Sequence, residues 1–118
     1  MKIYHNTRCS KSRKTLDIIK QNTSEYEVIE YLKKGLTYHE VRDLLSLLRV
    51  NPREIVRLND PIWINLYSKK EMNDNDIINA IVKNPKIIER PIVTYKKRAI
   101  IGRPPENVLL FFNQEGIS

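Results

Sequence analysis

The sequence predicts an α/β fold in which a mixed four-stranded sheet is flanked by helices, with an all-helical insertion after the second strand. Three observations predict it. Short segments rich in strand-favouring residues stand towards the two ends of the chain, at 2–5 and 26–31 and again at 92–95 and 99–101. Helical periodicity and separate helix starts fill the stretch between, from about 37 to 84. No repeat, low-complexity tract or Pro/Gly-rich linker divides the 118 residues, so residues 1–118 read as one domain.

Lys2-Ile3-Tyr4-His5 alternates in polarity and forms the first strand. From Ser10 to Gln21, Thr15, Leu16, Ile18 and Ile19 fall at helical spacing, so a tight loop joins strand to helix. Tyr26 to Tyr31 is the second strand, with Val28 and Ile29 near its centre, and strand, helix, strand makes a parallel βαβ start. Thr37-Tyr38-His39-Glu40 is a capping box, and it opens an amphipathic helix through Val41, Leu44, Leu45, Leu47 and Leu48. Asn51-Pro52-Arg53-Glu54 is a further start, with Asn as cap and Pro at the first helical position, leading into Ile55, Val56, Arg57 and Leu58.

A third start near Asn73 to Asp76 opens Ile77, Ile78, Ala80, Ile81 and Val82, and Asn84-Pro85 closes it. Ile92 to Tyr95, the polar turn Lys96-Lys97-Arg98, and Ala99 to Ile101 form an antiparallel hairpin. Gly102-Arg103-Pro104-Pro105 then leads to a short helix from Glu106 to Phe112. Tyr4, Tyr26, Tyr31, Trp63, Phe111 and Phe112 read as packing residues rather than base-stacking platforms.

With 41% hydrophobic and 30% charged residues, the composition is that of an ordinary globular protein. A chain of this length buries about two-thirds of its unfolded surface, enough for a core without staples. The single cysteine, Cys9, excludes a disulfide scaffold, and with only His5 and His39 beside it no conventional structural zinc site can be built. Neither a metal site nor a bound cofactor is expected. No apolar leader opens the chain and no apolar run approaches the roughly 20 residues that span a bilayer, so the sequence reads as cytoplasmic, with no membrane partner. The net charge is +7, but the basic residues are dispersed and no groove-reading motif accompanies them, which argues against a nucleic-acid partner. A small oxyanion would feel the same field. Nothing in the sequence demands a dimer, so a monomer is expected.

Cys9 lies in His5-Asn6-Thr7-Arg8-Cys9-Ser10-Lys11-Ser12-Arg13, between the first strand and the first helix. A thiol at a helix N-terminus meets unpaired backbone N–H groups and the positive end of the helix dipole, which favour thiolate. Arg8, Lys11 and Arg13 add to that field. Ser12 stands one turn on, where a dithiol motif would carry a second cysteine, and its hydroxyl is a candidate donor to the sulfur. As a monothiol, Cys9 can attack an electrophile, but a partner's thiol must resolve what it forms. His5, at the loop end of the strand, is a candidate tuner of the thiol or else a strand-end cap. His39, on an exposed helix face, is given no catalytic part.

Arg57, Arg90 before Pro91, and Arg103 within Gly102-Arg103-Pro104-Pro105 present planar donor forks suited to tetrahedral oxyanions. Together with the cysteine loop, they make the chain resemble the glutaredoxin-coupled arsenate reductase family, ArsC type, from Lys2 through about Leu110. The family's loop has the form His-Asn-Pro-x-Cys-x-x-Ser-Arg, with Thr7 standing here in place of the proline. By matching motif, its anion-binding arginines fall on Arg57 in Arg53-Glu54-Ile55-Val56-Arg57, Arg90 in Glu89-Arg90-Pro91-Ile92-Val93, and Arg103 in Ile101-Gly102-Arg103-Pro104-Pro105-Glu106.

The resemblance implies a thioredoxin-like fold with a helical insertion and a cis Arg90–Pro91 bond. It also implies that the Cys9 thiolate attacks arsenate held by Arg57, Arg90 and Arg103. Glutathione, as co-substrate, and a glutaredoxin would then complete the reduction to arsenite. Two other readings stay open at this point. One is an Spx-type regulator that binds RNA polymerase, although Ser12 stands where such proteins carry their second cysteine. The other is a related thiol oxidoreductase acting on a different substrate.

Overall fold

The computed structural model describes residues 1–116, and they resolve into two compact units. The first joins Met1–Lys33 to the chain from Arg90 onward, and the second is Lys34–Glu89.

The first unit carries strands β1 (Lys2–Tyr4), β2 (Glu27–Ile29), β3 (Ile92–Tyr95) and β4 (Arg98–Ile101) in the spatial order β2-β1-β3-β4. β1 pairs with β2 in parallel and with β3 antiparallel, and β3 pairs with β4 antiparallel, so the sheet is mixed as the sequence predicts. Helix α1 (Ser10–Asn22) makes the crossover from β1 to β2, and α6 (Asn107–Glu115) follows β4. Register partners Ile3 and Val93 share one sheet face and form a core with Ile19 of α1 and Val108, Phe111 and Phe112 of α6. Two polar residues of α1, Ser12 and Thr15, are fully buried. They lie on the same helix face as Ile19, and each has a hydrogen-bond partner, which is what allows a hydroxyl to sit there.

Three local expectations are corrected. Tyr31 does not extend the second strand, because Tyr31–Lys34 turns into the short helix α2 and buries the Tyr31 ring. The strand is also shorter than read, Glu27–Ile29 without Tyr26, and as an edge strand it leaves its central Val28 38% exposed. Arg98 belongs to β4, opposite Tyr95, and the hairpin turn is only Lys96-Lys97, with Lys96 in the left-handed region at φ 53°.

The second unit holds α3 (Tyr38–Leu48), α4 (Pro61–Leu66) and α5 (Asp74–Lys83), with 3₁₀ turns at Pro52–Ile55 and Pro85–Ile87. The Thr37 box forms as read: Glu40 N–H donates to Thr37 Oγ1 and Thr37 N–H to Glu40 Oε1, both at 3.1 Å. Asn73 and Asp76 cap α5 in the same reciprocal way. The helix expected from Asn51 stops after one turn, because Val56 bridges to Ile88 instead. Glu89 N–H donates to Ile55 O and Arg57 N–H to Ile87 O, both at 2.7 Å, so the chain turns extended at Val56 and Arg57 is not helical. Helix α4 lies where the sequence reading placed no element, capped by Asp60 Oδ1, which accepts from Ile62 N–H at 2.9 Å.

Gly102 ties the two ends of the hairpin together. Its N–H donates to Pro91 O at 2.9 Å, and its O accepts from Thr15 Oγ1 at 3.2 Å. A Cβ there would meet Pro91 Cγ and both Thr15 side-chain branches at 3.0 Å. Thr15 and Pro91 are both buried and cannot swing away. Gly102→Ala is therefore expected to cost about 1–3 kcal/mol of stability, read as a lower urea midpoint at unchanged slope.

Candidate active site

The sheet register brings three chain segments to one end of the first unit. Tyr4 at the close of β1 pairs with Ile92 at the opening of β3, which pairs with Ile101 at the close of β4. The cysteine loop after β1, Arg90-Pro91 before β3, and Gly102-Arg103 after β4 therefore share that end. Arg90–Pro91 is cis, and so is Arg103–Pro104. Arg90 and Arg103 are half-buried, a setting unlike that of a solvated surface arginine.

The cysteine loop is pinned from within. Cys9 N–H donates to Asn6 O at 3.0 Å, Arg8 N–H to Asn6 Oδ1 at 3.0 Å, and Arg13 Nη1 to Thr7 O at 2.9 Å. These bonds order the turn that carries Thr7 where the family motif has proline. Asn6, which the sequence reading left without a role, is thus a loop-ordering residue. The signal was available, since Asn side chains commonly bond to a backbone N–H two residues on.

Cys9 is the N-cap residue of α1 and is half-buried. Burial by itself pushes its thiol up. The Ser12 N–H, hydrogen bonding by the Arg90 side chain, the Lys11 N–H and the Arg90 charge together outweigh burial, and the thiol titrates below its ordinary range. The predicted helix-terminus effect is present, with Arg90 as the cation that acts on the sulfur.

Ser12 and His5 meet beneath this loop. Ser12 Oγ lies 2.6 Å from His5 Nδ1 and accepts from Asn6 N–H at 3.1 Å. The Ser12 hydroxyl, read from sequence as a donor to the sulfur, is engaged at these two partners, and what reaches Cys9 from Ser12 is its backbone N–H. His5 is only 4% exposed. Burial pushes its pKa below 6.5, opposed by Glu30 and assisted by Lys20 and Arg13, so the ring is neutral at pH 7.

This shift has a consequence for stability. Unfolded His5 titrates at its ordinary value, so below about pH 6.5 the unfolded chain binds a proton that the folded chain resists. Stability should fall as pH drops from 7 through 6 to 5. His5→Asn, which cannot titrate, should flatten that slope in urea melts recorded across the range. An unchanged slope would show that His5 charges freely in the fold.

Arg57 lies in the second unit. Its backbone N–H is held by Ile87 O, and its Nη1 pairs with Asp60 Oδ2 at 3.3 Å. Asp60 is 4% exposed, and the sequence reading did not single it out. An acid beside a proline that begins a helix was the available signal. His39 is exposed, edge-on to Tyr38. No helix among the described residues is long and apolar enough to cross a membrane.

Comparison with known proteins agrees with this architecture. The chain matches the ArsC family over residues 4–111. It is 45% identical to "Uncharacterized protein YfgD" of Escherichia coli K12, over 92% of this chain and 93% of that protein. It is 36% identical to a protein of Neisseria meningitidis serogroup A named arsenate reductase, over 92% of this chain and 94% of the relative. Among solved structures, one described as an arsenate reductase from Vibrio cholerae superposes with TM-score 0.87 at 36% identity, covering 93% of this chain and 97% of that one. The fold is thioredoxin-like, and by sequence match and structure alike the chain belongs to the ArsC family.

Proposed function

We propose that this protein is an arsenate reductase with Cys9 as its nucleophile. The observation that carries the reading is the half-buried Cys9 thiol at the start of α1, held towards thiolate against burial by the Ser12 N–H and Arg90, in a chain that shares 36% identity with a named arsenate reductase. The sulfur attacks arsenic, an arsenic–oxygen bond breaks, and water leaves with protons from the medium, giving an enzyme-bound thioarsenate. Arg57, Arg90 and Arg103 hold the anion's oxygens and stabilise charge that moves onto them. His5 and Ser12 support the loop that presents the sulfur.

Reduction from arsenic(V) to arsenic(III) takes two electrons, and one cysteine supplies only half of a disulfide. Glutathione provides the second thiol, arsenite departs, and the Cys9–glutathione disulfide is reduced by a glutaredoxin. No resident cofactor is needed. A monothiol site fits this use of external thiols, and such chemistry belongs in a reducing cytoplasm.

The test is arsenate-dependent NADPH oxidation by purified protein, coupled through glutathione, a glutaredoxin and glutathione reductase. Turnover that requires arsenate and all three thiol components is the expected result. A folded protein with an alkylatable Cys9 but no such turnover would overturn the reading. Turnover supported by thioredoxin and not by glutaredoxin would overturn the choice of reductant alone.

A further inference from the structure

Asp60 has two oxygens with separate employment. Oδ1 accepts from Ile62 N–H at 2.9 Å and starts α4. Oδ2 faces Arg57 Nη1 at 3.3 Å. A helix cap alone does not call for a charge: Asn and Ser serve as well as Asp, and neither costs the desolvation of a buried carboxylate. The Asp60 side chain is only 2% exposed, whereas that of Arg57 is 26% exposed. The buried member of the pair is therefore the acid, and the guanidinium keeps a solvent-facing part.

The backbone between them is short and held. Asp60 N–H donates to Arg57 O at 3.0 Å, and Arg57 N–H to Ile87 O at 2.7 Å. The segment is thus anchored at main chain and side chain together. A free arginine pays rotamer entropy each time it binds an anion, and one tethered at Nη1 has paid part of that in advance.

We propose that Asp60 is a positioning residue for substrate binding: its carboxylate fixes the Arg57 guanidinium so that the rest of the fork is presented to the oxyanion. This deepens the reading above and rests on Arg57 being an arsenate ligand. Two effects of Asp60 oppose one another. Its negative charge weakens the attraction of Arg57 for an anion, and its tether pre-orients the fork. The proposal is that orientation wins, which makes the sign of the outcome decisive.

The experiment measures the arsenate concentration that half-protects Cys9 from alkylation by iodoacetamide, so that no reductant is required. Parent, Arg57→Ala, Asp60→Asn and the double variant are compared, with thermal melts alongside. Asn keeps the cap acceptor and removes the charge, and Asp60→Ser does the same should Asn impair folding. Asp60→Asn is expected to raise the half-protecting concentration about tenfold, or about 1.4 kcal/mol, with the parent's melting curve and its alkylation rate without arsenate. In the Arg57→Ala background the same substitution should add nothing.

Protection of Asp60→Asn at the parent's concentration or below it would overturn the proposal, as would an equal loss in the Arg57→Ala background. Arg57→Ala protected like the parent would remove the arginine's assignment and this inference with it. A parent that arsenate does not protect would overturn the substrate reading itself.

Discussion

Cys9→Ser is expected to abolish arsenate-dependent turnover, lowering it by about a thousandfold or more, to the background of the coupled assay. The reason is acidity rather than shape. A cysteine thiol begins near pH 9.0, and here the N–H groups of Ser12 and Lys11 and the Arg90 side chain bring it lower against the opposing effect of burial. A serine hydroxyl starts several units higher, so the same stabilisation leaves almost no alkoxide at neutral pH. Sulfur is also the atom that must become half of a disulfide, which oxygen cannot do. The fold should survive, because the Cys9 side chain makes no capping hydrogen bond and is only half-buried. The decisive pair of measurements is kcat in the coupled assay and the urea midpoint. Residual arsenate reduction above background in a folded Cys9→Ser protein would remove the nucleophile assignment.

Arg90 should give the second-largest effect, because it acts on the sulfur before any substrate arrives. Removing it as Arg90→Ala takes away both a hydrogen bond to the sulfur and a nearby positive charge, so the thiol pKa must rise. The sign is plain: alkylation by iodoacetamide requires thiolate, so its rate climbs with pH through the thiol pKa and then levels off. The midpoint of that climb should lie at higher pH in Arg90→Ala than in the parent. Arsenate kcat/KM should fall by about a hundredfold or more, since one arginine would be lost both as thiol activator and as oxyanion donor. Arg90→Lys separates the two roles. It keeps the charge, so the alkylation profile should move less, yet it loses the planar fork, so arsenate kinetics should still suffer. Parent-like arsenate kinetics in Arg90→Lys would show that charge alone suffices.

Local chemistry made much of this architecture legible before any coordinates. Capping boxes are readable because both partners lie within three residues of each other, so the Thr37–Glu40 box formed as read, and the helix start read near Asn73 to Asp76 proved to be a box of the same kind. The order of strands and helices, and hence a mixed sheet, followed from short β-branched segments separated by periodic ones. The placing of Cys9 at a helix N-terminus was legible because a strand-to-helix turn sets a side chain against unpaired N–H groups whatever surrounds it.

The larger misreadings come from packing and pairing between residues far apart in sequence. Asn51-Pro52 is a sound helix start, but Val56 bridges Ile88 and Glu89 reaches back to Ile55, so the helix stops after one turn and Arg57 lies outside it. Propensity loses there to a non-local ladder. Tyr31 suits a strand, yet burying its ring required the chain to leave the edge of the sheet and turn into α2.

What the sequence by itself determined is the four strands and the main helices, though not α2 or α4, and the candidate site residues, because caps, turns and periodicity act over a few residues. Only the tertiary structure decided how those groups are employed. It engaged the Ser12 hydroxyl with His5 and Asn6, put Arg90 on the sulfur, and paired Arg57 with a buried Asp60. Each of those facts depends on distance and desolvation, quantities that exist only once remote segments have been packed together.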